Sequence, residues 1–113
     1  MDINLQTQHV TVPPGSWASI VTQIRRRLGM YEDRIEHIDI MLKDINGPKG
    51  GRDKVCQFRA RLRDGTRINI EDRASVMRRA VYRCCQRARL SIDRSLKRRY
   101  EKRRRHLRAM ELH

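Results

Sequence analysis

Up to about residue 72, the spacing of apolar residues predicts one helix and four strands. Ile3 and Leu5 alternate with polar residues over 2–8, which predicts a first strand. Pro13-Pro14-Gly15 interrupts regular structure, and we expect a helix to begin after Ser16 as its N-cap and to end near Gly29. The apolar residues of this helix recur at helical spacing: Trp17, Ile20, Val21, Ile24 and Leu28.

Period-two alternation predicts three further strands. The second, over about 35–43, places Ile38, Ile40 and Leu42 on one face. The third covers 54–63, and the fourth covers Thr66–Glu71 after the tight-turn pair Asp64-Gly65. One face of the third strand is expected to be buried and carries Cys56, Phe58, Ala60 and Leu62.

From about Arg73 onward the chain contains neither Gly nor Pro, which predicts one long helix. Its apolar stripe consists of Met77, Ala80, Val81, Cys84, Ala88, Ser91 and Ile92. After Leu96 the stripe has little left, and eight of the twelve residues 97–108 are Lys or Arg. We therefore expect a domain over 1–96 and a basic extension over 97–113 that projects, frays or docks on an anion.

The predicted order is β-α-β-β-β-α, an α+β fold in which two helices pack on one face of a four-stranded sheet and the other face is in water. The length of 113 residues corresponds to one domain. No apolar run is long enough to span a bilayer, and the first residues do not have the pattern of a secretory signal. Three Cys, an odd number, fit a reducing compartment, so a cytoplasmic location is expected.

Charge is distributed unevenly along the chain. Of the formal net charge of +14, +12 belongs to 73–113, where 15 Lys and Arg face 3 acidic residues. On the last helix, one sector about 100° wide collects most of the basic residues. These residues are Arg79, Arg83, Arg87, Arg94, Lys97 and Arg98. A solvated helix face usually mixes Glu with Lys, so this segregation favours nucleic-acid binding over an ordinary solvated surface, and these six are the candidate RNA-binding residues of the helix.

Two smaller basic groups lie in the nearly neutral part of the chain. Arg25, Arg26 and Arg27 end the first helix. A second group follows the wet face of the third strand and contains Arg59, Arg61 and Arg63. For the strand arginines, protection of a sheet edge against aggregation is an equal alternative to binding. Few aromatic residues are available for stacking, which favours phosphate contacts over base recognition.

The sequence contains only weak signals for phosphate-loop, metal-binding or catalytic chemistry. The segment 44–51 suggests a phosphate loop but lacks the terminal Gly-Lys-Ser/Thr, so a long hairpin loop is the better interpretation. Cys56, Cys84 and Cys85 could bind a metal with His9 or His37, but no paired spacing supports this. Buried thiols are the better interpretation, with Cys85 at the border and partly exposed. We predict no enzyme activity, catalytic residue, metal, cofactor or small-molecule substrate, and no membrane partner.

Several stretches resemble the ribosome hibernation-promoting factors, also described as ribosome-associated translation inhibitors or sigma-factor modulation proteins, in their short form. The resemblance covers about 1–96. It rests on Pro13-Pro14, Arg27-Leu28, Tyr31-x-Asp33-Arg34-Ile35, the loop Asp44-x-Asn46-Gly47-Pro48-Lys49-Gly50-Gly51-x-Asp53-Lys54-x-Cys56, Ala60-Arg61, and the helix positions Met77, Ala80, Val81, Arg87 and Arg94. Arg78 replaces the Tyr usual after the Met, and 97–108 is basic where some short members have an acidic tail.

The resemblance implies a fold similar to double-stranded-RNA-binding domains. It also implies a protein that binds the small ribosomal subunit, contacts ribosomal RNA through basic residues and blocks the channel used by tRNA and mRNA in stationary or stressed bacterial cells. Arg27, Arg87 and Arg94 are the positions carried over from the family pattern. Two alternatives remain open: a free-standing RNA- or DNA-binding module that recognises duplex shape, and a regulator that binds a protein.

Overall fold

A computed structural model describes residues 1–45 and 53–111 of the chain. It confirms the predicted α+β order. The elements are β1 (Asp2–Gln8), α1 (Pro14–Leu28), a 3₁₀ turn (Gly29–Tyr31), β2 (Ile35–Asp44), β3 (Lys54–Leu62), β4 (Arg67–Ala74) and α2 (Met77–Glu111).

The four strands form one mixed sheet in the order β1-β2-β3-β4. β1 pairs with β2 in parallel, because α1 carries the chain back across the sheet between them. The other two pairings are antiparallel. In the register of β2, β3 and β4, Ile40 lies opposite Phe58, which lies opposite Ile70. Since side chains alternate across a strand, this register gathers the apolar residues on one face.

Both helices pack on that apolar face. α2 contacts β3, β4 and α1. Ile24, Leu28, Phe58 and Ile92 are fully buried between the layers. The opposite face of the sheet, which we call the open face, carries no helix in the described part of the chain and is mostly polar.

The start and end of α1 differ from the prediction. Ser16 is not the N-cap; Pro13 has an extended conformation in that place, and its carbonyl accepts the Ser16 and Trp17 N–H groups at 2.9 and 3.1 Å. Pro14 suits the first helical position because its missing N–H is not needed there and its φ is already helical. Gly29 ends the helix as predicted, but in a right-handed conformation that continues into the 3₁₀ turn.

The boundary between β4 and α2 also differs. β4 extends to Ala74 instead of Glu71, and α2 begins at Met77 instead of Arg73. The reason is pairing with β3: Lys54 and Val55 lie opposite Ala74 and Arg73, so the ladder continues beyond the alternation seen in the sequence. The Asp64-Gly65 turn is confirmed, and Gly65 has a φ of 92°, which glycine adopts without strain.

α2 continues far beyond the packed part of the domain. Residues 97–111 are all exposed and helical to Glu111, so of the three fates predicted for this segment the structure shows projection. The described chain measures 66 × 24 × 18 Å, an elongation produced by this helix. Among the described residues, no helix is long and apolar enough to cross a membrane.

Candidate nucleic-acid interface

Polar side chains from three strands meet in the middle of the open face. Arg59 and Arg61 lie side by side along β3, and cross-strand pairing places Asp39 and His37 on one side of them. Arg67, which pairs with Arg61 from β4, was not among the residues predicted from sequence. These side chains line a shallow concavity of about 640 Å³. The described part of the open face has no Phe, Tyr or Trp, so its chemistry suits phosphates and not base stacking.

Part of the positive charge on the open face is already compensated. Arg61 forms an ion pair with Glu36 at 2.8 Å between Nη2 and Oε1. Asp39 Oδ1 accepts hydrogen bonds from Asn4 at 3.1 Å and from the His37 ring at 2.9 Å. Burial alone would raise the pKa of Asp39, but these two hydrogen bonds hold it below its usual value. Arg59 makes no ion pair within the described residues, so it is the more available of the two strand arginines.

Arg63 does not belong to the open-face row. β3 ends at Leu62, and Arg63 lies in the following turn, where its backbone N–H donates to the Arg34 carbonyl at 2.9 Å. Its side chain is exposed. The sequence pattern missed this because alternation continues through the turn although the strand does not.

The predicted basic sector of α2 lies along the free edge of β4. The Arg87 Nη1 donates to the Glu71 carbonyl at 2.9 Å and contacts Asp72 Oδ2 at 3.3 Å. The Arg83 Nη1 reaches the Arg73 carbonyl at 3.5 Å. Unpaired carbonyls of an edge strand invite pairing with another chain, and these arginines cover two of them. Arg83 and Arg87 therefore have a structural role in addition to any role in binding.

The remaining cations of this sector face solvent. Arg79, Arg94 and Arg98 are exposed and form no ion pair in the part of the chain that the structure describes. Lys97 Nζ lies 3.2 Å from Asp93 Oδ2, one helical turn back. Exposed pairs of this kind contribute little and are easily exchanged for a phosphate. The part of α2 that is available to bind phosphates is thus smaller than the sequence pattern indicated.

The arginines at the end of α1 lie on the other flank of α2. The Arg27 guanidinium stacks over Tyr82, with 4.3 Å between its carbon and the ring centroid, and Arg25 and Arg26 are exposed. Tyr82 faces α1, whereas Arg83 and Arg87 reach β4. Arg27 nevertheless lines one concavity with Arg87 of the α2 sector. The structure therefore brings these two predicted groups close together, whereas Arg59 and Arg61 lie apart from them on the open face.

The extension of α2 is fixed to the body at one point. Arg99 Nε pairs with Asp64 Oδ2 at 3.0 Å, and its Nη2 lies 3.5 Å from the Asp64 carbonyl. The Thr66 N–H also donates to Asp64, at 2.8 Å. The hydrogen bonds from Thr66, together with the charge of Arg99, hold the pKa of Asp64 below its ordinary value. Asp64 is therefore ionised at neutral pH and ties the β3–β4 turn to α2.

Asp64 is expected to make folding sensitive to acid. Its folded-state pKa lies below the ordinary 3.8, so the stability that it contributes is complete above that value and is lost as the pH falls through the folded-state pKa. Replacing Asp64 with Asn keeps an oxygen for the Thr66 N–H and removes the charge. We expect the urea midpoint of Asp64→Asn to fall less between pH 7 and pH 3 than that of the wild type.

Arg87 offers a test of its structural role. Arg87→Met keeps the aliphatic stem and removes the hydrogen bond to the Glu71 carbonyl, so urea unfolding should show a loss of about 1 kcal/mol. Arg94, in the same basic sector of α2, has no carbonyl or carboxylate partner in the described structure. Arg94→Met should therefore change the free energy of unfolding by less than about 0.5 kcal/mol. Equal losses for the two variants would mean that the contact with β4 contributes nothing measurable.

The cysteines are free and buried. Cys85 is not at the border as predicted but fully buried, because α1 packs over the flank of α2 that carries it. Burial raises the pKa of Cys85 to about 12. The pKa of Cys56 is raised by its contact with Cys84 and by burial. Within the described residues, no group of three or more His, Cys, Asp or Glu could hold a metal ion.

The glycine-rich loop of the family resemblance, and with it the phosphate-loop and hairpin-loop interpretations, falls largely on 46–52, outside the described residues. Its flanking residues are ordered around a lysine. Lys54 Nζ lies 2.6 Å from Asp44 Oδ2 and 3.5 Å from Asp53 Oδ2. The hydrogen bond to Asp44 raises the pKa of Lys54 despite the opposing effect of desolvation. This pair joins the ends of β2 and β3.

The molecule is thus an α+β domain with two helices on one sheet face and basic residues on several of its surfaces. Solved structures share this fold, among them the following two. The ribosomal subunit interface protein from Coxiella burnetii superposes with a TM-score of 0.72 at 20% identity, over 86% of this chain and 99% of that one. The N-terminal domain of Thermus thermophilus Protein Y superposes with a TM-score of 0.67 at 18% identity, over 83% of this chain and 98% of that domain.

No family model and no curated protein matches the sequence. The resemblance to hibernation-promoting factors is confirmed at the level of the fold by these two structures. At identities of 20% and 18%, fold is what the likeness establishes.

Proposed function

We propose that this protein is a ribosome-associated translation inhibitor that binds the small ribosomal subunit and occupies the tRNA and mRNA channel. The observation that carries the proposal is the shared fold with a ribosomal subunit interface protein, which this chain covers almost completely. The partner would be ribosomal RNA in the cytoplasm, and the mechanism would be occlusion. No bond is made or broken, and no cofactor is needed.

The charge distribution supports an RNA partner. Arg59, Arg79 and Arg94 are exposed cations without an ion pair in the described structure. Neutralising RNA phosphates would release counterions, and this gain does not require base recognition. Arg25 and Arg26 add exposed positive charge on the α1 flank. Basic groups on three sides of a small domain suit a site lined by RNA on several sides.

Co-sedimentation with ribosomes at rising salt is the direct test. If the protein neutralises about 6–10 phosphates, its affinity should fall by about 10³- to 10⁵-fold between 50 and 200 mM salt. Cell-free translation should be inhibited over the same range of protein concentration that saturates the small subunit. A protein that does not pellet with ribosomes at low salt would overturn the proposal.

Two further outcomes would identify the alternatives. Equal affinity for ribosomes and for naked duplex RNA would indicate a free-standing module that recognises duplex shape. Binding to an acidic protein that survives nuclease treatment would indicate a protein-interaction regulator. The described open face has no Phe, Tyr or Trp. This argues against base stacking and against sequence-specific binding of single-stranded RNA at that surface.

A further inference from the structure

A groove that adjoins the basic sector of α2 at Lys97 lies at the base of the α2 extension. It has a volume of about 910 Å³ and is formed where the extension passes the 3₁₀ turn and the β3–β4 turn. We call it the basal groove. Its lining includes Met30, Arg34, Tyr100, Lys102 and Arg103. None of these five is among the RNA-binding residues predicted from the sequence, although Lys102 and Arg103 belong to the predicted basic extension.

The basal groove combines an exposed ring with unpaired cations. Tyr100 is 67% exposed and Met30 is 66% exposed, so the ring and the thioether are both accessible to a ligand. Arg34, Lys102 and Arg103 are exposed and have no ion pair within the described residues. Apolar surface and free positive charge thus occur together on one concave surface.

The acidic residues of the groove are already engaged. Asp64 pairs with Arg99 and accepts the Thr66 N–H. Asp93 accepts the Tyr31 hydroxyl at 2.7 Å and pairs with Lys97 at 3.2 Å. Asp64 also attracts Arg34, but the five Lys and Arg side chains of the lining outnumber these two carboxylates, so positive charge is in excess. The groove therefore remains attractive to a polyanion.

We propose that the basal groove binds an unpaired segment of RNA, with a base stacked on Tyr100 and the flanking phosphates bound by Arg34, Lys102 and Arg103. A positively charged groove with an aromatic ring is the combination by which proteins hold single strands. A second copy of this chain is a poorer occupant, because it would bring two strongly cationic extensions together. The inference rests on the proposed function and deepens it. It adds a site for single-stranded RNA to a domain whose other basic surfaces suit duplex RNA.

Anisotropy with a fluorescein-labelled pyrimidine RNA of twelve nucleotides tests the stacking contact in the full-length protein. Tyr100→Ala should weaken binding about tenfold, since one stacked base contributes about 1–3 kcal/mol. Tyr100→Phe should bind as the wild type, because the ring is retained. Leu107→Ala, at another exposed apolar residue of the extension, should also leave binding unchanged.

A matched pair of double variants tests the phosphate contacts. Lys102→Gln with Arg103→Gln removes two cations that line the groove, and Arg104→Gln with Arg105→Gln removes two from the same helix that do not. The first pair should lower the slope of log K against log salt by about 1.4, the value for two phosphates of a single strand. The second pair should lower affinity much less.

The outcomes are decisive in both directions. Equal effects of the two double variants, or no binding of the oligonucleotide by the wild type, would each overturn the basal groove. Failure of the proposed function is measured separately: a protein that binds the oligonucleotide through Tyr100 and does not pellet with ribosomes retains the groove and loses the function. Ribosome binding together with an oligonucleotide affinity that does not depend on Tyr100 would retain the function and overturn the groove.

Discussion

Reversing the charges of Arg79 and Arg94 together is expected to weaken ribosome binding about 100-fold. Both side chains are exposed, lie on the basic sector of α2 and have no ion pair in the described structure. A hydrogen bond to a charged group contributes about 1.5–3 kcal/mol, and 1.4 kcal/mol corresponds to a factor of ten. Glu at both positions would also repel phosphate. Sedimentation with small subunits at 0.1 M salt measures the effect.

A control with the same change in charge separates position from net charge. Arg105→Glu with Arg78→Glu also removes four positive units, and Arg78 precedes Arg79 directly at the start of α2. Long-range attraction depends on total charge and should weaken equally in both variants. Contact with phosphate depends on place, so the control should bind much better than Arg79→Glu with Arg94→Glu. Equal binding by the two variants would remove the α2 sector from the interface.

Arg83 and Arg87 are left out of this test for a structural reason. They donate to carbonyls of β4, so their replacement would disturb the sheet edge as well as any RNA contact. A loss of ribosome binding in such a variant could not be assigned to RNA alone. Arg79 and Arg94 avoid this difficulty, and circular dichroism should show an unchanged fold for their double variant.

Phe58→Ala should cost about 3–5 kcal/mol of unfolding free energy, the largest loss expected for a single residue of this domain. Phe58 is fully buried in the middle of β3, between the sheet and the helices, and is the largest side chain in the core. Domains of this size have a total stability of about 5–15 kcal/mol, so the variant would be near the limit of folding. Urea denaturation followed by circular dichroism measures the loss.

The neighbouring residue provides the control. Arg59 follows Phe58 in the same strand, but its side chain points to the open face. Arg59→Gln should change the free energy of unfolding by less than about 0.5 kcal/mol. A loss at Arg59 comparable to that at Phe58 would contradict the assignment of the two sheet faces. The same variant should weaken RNA binding if the open face contributes to the interface.

The comparison of sequence with structure is clearest in β3. Alternation identified Phe58 as buried and Arg59 as exposed because successive side chains of a strand point to opposite faces, whatever the strand pairs with. The same pattern assigned Arg63 to this strand, although the chain turns after Leu62. Alternation reports the local backbone, and the end of a strand depends on a partner elsewhere in the chain.

Contacts between distant segments of the chain could not be predicted from the sequence pattern. Cys85 lies at the edge of the apolar stripe, and its burial follows from the position of α1, which no pattern within α2 reveals. Arg67 was overlooked because it lies next to Arg61 only through the pairing of β3 with β4. Tyr100 and Arg34 are 66 residues apart in the chain and line one groove only after folding.

The sequence alone determined the order of the elements, the buried face of each strand and the concentration of positive charge in the last helix. These properties follow from local periodicity and composition, which each segment carries by itself. Only the tertiary structure decided which cations are free: Arg87 is bound to β4 and Arg99 to the β3–β4 turn, while Arg79 and Arg94 remain available. The physical reason is that an ion pair needs a partner at about 3 Å, and the fold brings that partner from a distant part of the chain.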